Sequence, residues 1–328
     1  MLVSIVIPCY NSEQTIEKVV DLCMDSFAEW KGYDCEMILV NDFSRDQTSS
    51  AIRRAAEKYP DKVTAVNLAK NFGQHSALLA GFQYVSGDLA VGMDDDLQNR
   101  PEQIRILLDQ LDENTDVVFG EYRKRNFNWF KNLTGRLTQY LLFRLIDRPR
   151  DVPMSSFWCA RSFVIDEIKG YQGSDAFVQL LFARTTHHLK AVEVEHYARE
   201  AGSSNYTFRK SLKLFLSFLN YSTIPLRLSQ YFGSLLSVIG FLSALILIIR
   251  KILDPSTILT GWSSLICLML ILFGILFLMI GILGDYIGKI VLTANGTPLY
   301  VIRDDVGKSA SHCPAPKSPE GGSQDEGR

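Results

Sequence analysis

The sequence predicts an α/β fold: a mostly parallel sheet with helices on both faces, followed by interfacial helices and a C-terminal two-helix transmembrane hairpin. Three observations predict it. Across residues 1–120, short and continuously apolar runs alternate with longer helical stretches, the pattern of parallel strands buried on both faces. Polar, acid-rich clusters follow the ends of those runs, at the edge where open α/β sheets bind ligands. Two apolar runs of spanning length, 231–249 and 262–284, fall in the last third of the chain.

Val3 to Ile7 is a β-branched apolar strand, and Ser12 is a plausible N-cap for a helix running to about Glu29. A second strand, Glu36 to Val40, leads to a helix from about Gln47 to Tyr59. Val63 to Leu68 is a third strand, and Gln74 to Val85 a helix rich in Ala and Leu. Leu89 to Met93 is a fourth, bounded by polar residues. Pro101 opens a helix to Asp112, with Glu102 suited to its positive end, and Asp116 to Gly120 is a fifth strand.

With 328 residues there is room for one large domain or a domain with an appendage. A formal net charge of −2 gives no sign of nucleic-acid binding. The six cysteines show neither CxxC pairing nor metal spacing and read as reduced cytosolic thiols. The N-terminal apolar run stops at Pro8-Cys9-Tyr10-Asn11 without a basic flank, so it reads as a core strand and not a signal peptide.

Four polar clusters lie on one sheet edge: Pro8 to Asn11, Asn41 to Asp46, Lys70 to Gly73, and the acids Asp94, Asp95 and Asp96. Each has a plain alternative, a turn with an N-cap or a solvated acidic loop, but four on one edge favour a shared ligand site. In an extended segment Asp94, Asp96 and Gln98 face one point. Hard oxygen donors of this kind suit Mg²⁺ or Mn²⁺, which could in turn hold a diphosphate. Neither GxxxxGK[ST] nor GxGxxG occurs, so a phosphate-bearing ligand would be held through metal and basic side chains. A nucleotide sugar fits.

VSIVIPCYNSEQTI, the Asn41-Asp42-x-Ser-x-Asp46-x-Thr48 run, KNFGQHSALLAGF and DDDLQNRPEQ together resemble the family 2 glycosyltransferases of GT-A fold. More narrowly they resemble the membrane-bound polyprenyl-phosphate glycosyltransferases, the group of the dolichol-phosphate mannose synthases and the formamido-arabinose transferases. The resemblance runs from residue 1 to about 303. It implies Asp94, Asp96 and Gln98 as metal ligands, with Asp96 central to catalysis, and Asp42 on the uracil base. Pro8, Tyr10 and Glu13 would line the nucleotide pocket, with Asn71 and Asp95 completing the donor site. Asn41 and Phe43 depart from the commoner Asp-Asp-Gly.

Residues 121–150 carry many Arg and Lys interleaved with aromatics at helical spacing, either a solvated basic helix or one suited to an anionic lipid surface. Arg123 and Arg136 are candidates there for the lipid phosphate. DVPMSSFWCAR, 151–161, has Ser156-Phe157-Trp158 where the family carries an acid and an Arg, so no base is assigned to Ser156 and Asp151 is the weaker alternative. An ionised acceptor phosphate needs alignment more than deprotonation. His187 and His188, adjacent on a strand-like run, point to opposite faces and read as structural. Arg199-Glu-Ala-Gly202-Ser-Ser204-Asn-Tyr206 resembles a family motif, implying that Arg199 reaches the diphosphate. Ser204 and Lys210 join the acceptor-phosphate set, Lys210 or Arg209 standing in for the family's Lys at Asn205.

The expected organisation is a catalytic domain over 1–206, interfacial helices over 207–229, a hairpin over 230–290, a return segment over 291–305 and a disordered tail over 306–328. Basic residues flank the hairpin on the side of both chain ends, placing catalytic domain and tail in the cytoplasm at the inner membrane. The expected activity is inverting transfer from a nucleotide sugar, a UDP-sugar by expectation, to a polyprenyl phosphate such as undecaprenyl phosphate. Extension of a lipid-linked or polymeric sugar and a non-catalytic membrane-anchored binder are the alternatives. The resembling group includes tetramers, so a homo-oligomer is a further expectation.

Overall fold

The computed structural model describes residues 1–122, 154–173, 176–195, 197, 231, 235, 242, 249 and 262–307. Strands β1 (Leu2–Cys9), β2 (Asp34–Asn41), β3 (Val63–Leu68) and β4 (Leu89–Gly92) alternate with helices α1 (Ile16–Glu29), α2 (Thr48–Lys58) and α3 (Gln74–Phe82). A 3-10 turn, Pro101–Gln103, leads into α4 (Ile104–Leu108) and β5 (Val117–Tyr122). Then come β6 (Trp158–Arg161), α5 (Ser162–Lys169), α6 (Val178–Thr185), β7 (Leu189–Val194), α7 (Trp262–Ala294) and β8 (Ile302–Val306).

All eight strands form one sheet in the order β7-β5-β6-β4-β1-β2-β3-β8. Alternating residues send their side chains to opposite faces. Ile5, Ile7, Met37 and Leu39 pack with Ile16, Val20, Ile52 and Leu107 from α1, α2 and α4. Val6, Ile38, Val40 and Val66 pack with Leu78, Phe82, Ile165 and Phe182 from α3, α5 and α6. Because α1 and α3 lie on opposite faces, the chain reverses its winding between β1 and β4. That switch point leaves a crevice at the C-terminal strand ends, and Tyr10 and Asp94 flank it.

The sheet is more mixed than expected. Pairings β1–β2, β1–β4, β2–β3 and β5–β7 are parallel, but β3–β8, β4–β6 and β5–β6 are antiparallel. The stretch DVPMSSFWCAR supplies β6, which carries no β-branched residue. It becomes a strand by filling the slot between β4 and β5. The helix after Pro101 is shorter than its periodicity implies, with its first turn tightened to 3-10 geometry. Ser12 does not cap α1 with its side chain: the helix starts at Ile16 after Thr15, and the Ser12 hydroxyl goes to Asp95. Cys9, Cys23, Cys35 and Cys159 are buried and unbridged.

Residues 1–127, 148–203 and 298–328 form one compact unit, and 128–147 with 204–297 a second. In the second, α7 is a single helix over Trp262–Ala294, containing the second predicted span. At 1.5 Å per residue it is about 50 Å long. Leu265, Met269, Leu272, Leu276, Ile280 and Leu283 make an exposed apolar stripe along it. The first predicted span lies outside the described residues except for Tyr231, Leu235, Leu242 and Ile249, which are helical and exposed. Counting only residues whose side chains are described, no helix is long and apolar enough to cross a membrane.

Candidate active site

The first-strand loop and the acid turn are tied across the crevice. Asp95 accepts hydrogen bonds from the backbone N–H of Tyr10 (3.1 Å) and from the Ser12 hydroxyl. Burial pushes the Asp95 carboxyl up to about 6, opposed by those two donors, while the charges of Asp94 and Asp96 push the same way. Asp95 is thus turned into the protein, and its neighbours face elsewhere. Asp94 accepts from Gln74 Nε2 (2.8 Å) and from Ser156 Oγ (2.5 Å). Asp96 Oδ1 accepts from the Gln98 N–H (3.1 Å), closing a tight turn in which Leu97 is buried at φ 59°.

Tyr122, at the end of β5, completes this face. Burial lifts its phenol above its ordinary range; the hydrogen bonds of Asn99 and Ser156 oppose that, and the charges of Asp94 and Asp96 reinforce it. Ser156 thus links Asp94 to Tyr122, and the charges of Asp94 and Asp96 both reach the Tyr122 phenol. Gln98 spends its amide N–H on the Tyr197 carbonyl (3.5 Å) and keeps its oxygen, while the Tyr197 N–H returns to the Gln98 carbonyl (3.0 Å). This brings the chain two residues ahead of Arg199 against the acid turn.

The donor set fits a hard divalent cation. Two carboxylates and an amide oxygen are hard ligands, and three consecutive partly buried acids call for a positive partner. Among the described residues no group of three or more His, Cys, Asp or Glu is arranged to hold a metal ion. Two carboxylates leave most of a six-fold shell for water and a ligand's phosphate oxygens, the usual arrangement for Mg²⁺ at phosphate sites.

Loops after β1, β2 and β3 form the rest of the edge. Asp42 is 4% exposed and accepts from the N–H groups of Phe72 (2.7 Å) and Gly73 (2.8 Å), so it staples the β3 loop to the β2 loop. Burial raises its pKa and those two N–H groups hold it down. Asn71 Nδ2 donates to the Asp42 carbonyl (3.1 Å). Glu13 Oε2 accepts from the Gln47 N–H (2.8 Å), tying the first two loops together. Pro8 is buried opposite Val40. Tyr10 and Phe43 are the bare rings of this edge, 48% and 47% exposed. Phe43 and Asn11 are both held at φ 56°.

The structure therefore brings Pro8, Tyr10, Glu13, Asp42, Asn71, Asp94, Asp95, Asp96 and Gln98 to one edge. Asp151, Arg123, Arg136, Arg199, Ser204 and Lys210 lie outside the described residues. His187 and His188 sit at the start of β7, where the His188 ring meets Asp116 at 3.5 Å. Gln74 and Tyr122 take part in the site without having been singled out, Ser12 was read only as a helix cap, and Ser156 was noted only as standing where the family carries an acid. Extending the strand-end rule to the fifth strand would have found Tyr122; the contact of Ser156 with Asp94 was hidden because β6 was not legible.

Residues 4–168 match the family model described as Glycosyl transferase family 2. The chain belongs to that family and is a glycosyltransferase, as its motifs implied. It is 34% identical over 319 residues to the undecaprenyl-phosphate 4-deoxy-4-formamido-L-arabinose transferase of Enterobacter sp. (strain 638), covering 94% of both chains. Similarity to the protein of the same name from Edwardsiella ictaluri (strain 93-146) is 34% over 313 residues, 93% of this chain and 94% of that one. Among solved structures it is similar to a glucosyl-3-phosphoglycerate synthase from Mycobacterium tuberculosis in complex with Mn²⁺, uridine-diphosphate-glucose and phosphoglyceric acid. That likeness, 20% identical with TM-score 0.46 over 68% of this chain and 78% of the other, is too distant to carry function.

Proposed function

We propose that this protein transfers a sugar, with inversion, from a UDP-sugar to undecaprenyl phosphate at the cytoplasmic face of the inner membrane. The observation that carries the reading is the acid turn at the switch point, where Ser156 donates to Asp94 and the charges of Asp94 and Asp96 both reach Tyr122. Nearly full-length similarity to enzymes named for undecaprenyl phosphate supports the acceptor class.

Asp94, Asp96 and Gln98 would hold Mg²⁺ or Mn²⁺, which supplies positive charge to the diphosphate as it departs. Asp95 fixes the acid turn to the Tyr10 loop, so the base-binding loops and the diphosphate site move as one piece. Tyr10 and Phe43 offer rings for the base to stack on. Asp42, Asn71 and Glu13 shape the loops behind them, and Pro8 stiffens the strand end. Arg199, close in sequence to Tyr197, neutralises the leaving nucleotide. Arg123, Arg136, Ser204 and Lys210 hold the lipid phosphate. That phosphate is already ionised near neutral pH and attacks the anomeric carbon without a dedicated base, so Asp151 is dispensable for deprotonation. The apolar runs over 231–249 and 262–284 would anchor the chain in the membrane that carries the acceptor, and the stripe on α7 suits lipid contact.

Membranes carrying the protein, given undecaprenyl phosphate and a radiolabelled panel of UDP-sugars, should yield a labelled lipid that releases its sugar in mild acid. Asp96→Asn should lower transfer by at least about 10²-fold and leave membrane insertion intact. A variant with unchanged turnover would refute the metal assignment. Nucleotide binding without lipid product would favour the non-catalytic binder.

A further inference from the structure

After α7 the chain returns to the catalytic unit as β8, antiparallel to β3. Its Asp304 starts a continuous line of side-chain hydrogen bonds that ends in the first two strand-end loops. Asp304 Oδ1 accepts from Asn67 Nδ2 (2.7 Å) and from the Arg53 guanidinium. Asn67 Oδ1 accepts from Asn41 Nδ2 (2.9 Å) and Ser49 Oγ (2.9 Å). Asn41 Oδ1 accepts from the Ser44 N–H (3.0 Å), and Ser44 Oγ from the Asn11 N–H (2.9 Å). Asn11 Oδ1 then accepts from the Arg45 N–H (3.0 Å).

The line has a direction. An ionised carboxylate only accepts, so Asp304 obliges Asn67 to point its NH₂ at β8 and its oxygen at Asn41. Asn41 must then do the same, which leaves its oxygen facing the Ser44 N–H. Asn67 and Asn41 are 5% and 4% exposed, so water cannot replace a lost partner. With Asp304 gone, either amide is free to flip, and a flipped Asn41 sets NH₂ against N–H at the turn that carries Asp42 and Phe43.

We propose that Asp304 and Asn67 are positioning residues for the nucleotide: the strand after the last helix orients the base-binding turn through two buried amides. This rests on the reading of that edge as the donor site. The first experiment therefore measures UDP binding by the full-length wild type in detergent with Mn²⁺, by titration calorimetry. Absence of binding sinks the donor-site reading itself. Given binding, Asp304→Ala and Asn67→Ala should each raise the UDP Kd and the donor KM roughly tenfold, about 1.4 kcal/mol, with kcat within about twofold and acceptor KM unmoved. Asp304→Asn, which keeps size and shape but not the obligate polarity, should raise the Kd several-fold and carries the test if the alanine variants fold poorly. The exchange Asn67→Asp with Asp304→Asn restores one donor facing one acceptor and should recover wild-type affinity. Asp305→Ala removes the bond from the Tyr84 hydroxyl (2.6 Å) on the other face of β8. It should lower the Tm and leave the UDP Kd alone. The proposal is overturned if Asp304→Asn keeps the wild-type Kd, or if Asp305→Ala raises it as much as Asp304→Ala.

Discussion

At the residue scale, two side chains sit where ordinary folding preferences would not put them. A phenylalanine with positive φ is strained by about 1–2 kcal/mol, and Phe43 also leaves half its ring in water. Phe43→Gly should leave the urea midpoint unchanged or raise stability by up to about 1 kcal/mol, the gain being offset by the entropy of a more flexible unfolded chain. The same change should weaken UDP binding roughly tenfold, because stacking on a base is worth about 1–3 kcal/mol. His75 is the second case. Burial pushes its imidazole down to about 4, its Nδ1 has no partner, and its ring packs on Phe177 at 4.3 Å. The unfolded chain takes up a proton near 6.5 and the folded one does not, so stability is intact above 6.5 and falls as pH drops toward 4. His75→Phe should remove about one proton from the pH slope of the urea midpoint across that window. Neither feature was visible in the sequence, where Phe43 was noted only as a departure and His75 as part of a helix. Asp94, Asp95 and Asp96 were legible because three acids after an apolar run need a reason. Alternation set Asp94 and Asp96 apart from Asp95, but it revealed neither the turn at Leu97 nor the bonds by which Asp95 holds the Tyr10 loop.

At the scale of elements, the strands covered on both faces were readable from continuous apolar runs, and β3 occupies the predicted residues. β6 was not readable, because its four residues WCAR resemble no strand and owe their conformation to β4 and β5 on either side. Gly92 is the position that admits it: a Cβ there would stand 2.3 Å from Trp158 Cε2 and 2.4 Å from Cζ2, both belonging to a fully buried ring. Gly92→Ala should therefore cost about 2 kcal/mol or more, seen as a Tm lowered by several degrees. It should also lower turnover, since Met93 and Asp94 follow directly. A wild-type Tm would mean that the ring has room to shift. β8 was hidden for a related reason: IRDDV, with two adjacent acids, reads as part of a return segment running to 305 and not as a strand. Arg53, Asn67 and Tyr84 receive those acids on the two faces of the edge strand.

At the scale of the whole molecule, the chain pairs an α/β catalytic unit with a second unit whose helix α7 carries an exposed apolar stripe. Replacing Leu272, Leu276 and Ile280 each by Lys should release the protein from membranes in a carbonate wash, since a charge at a span centre costs about 2.5–3.5 kcal/mol. Retention after the triple change would argue that α7 lies elsewhere than in the bilayer. Length and hydropathy alone pointed to an apolar region and to a return segment over 291–305, but not to the pairing of that segment with β3 as the outer strand of the sheet.

That return has a consequence for how the protein is made. The strand that covers the outer side of β3 leaves the ribosome more than two hundred residues behind its partner. Until then β3 has a bare edge and the amide pair Asn67 and Asn41, behind the turn of Asp42 and Phe43, lacks its anchor. The nascent chain must wait in an unfinished state while α7 is made, and a chain cut short before residue 298 would carry Asp94, Asp95 and Asp96 on a sheet that lacks its outer strand.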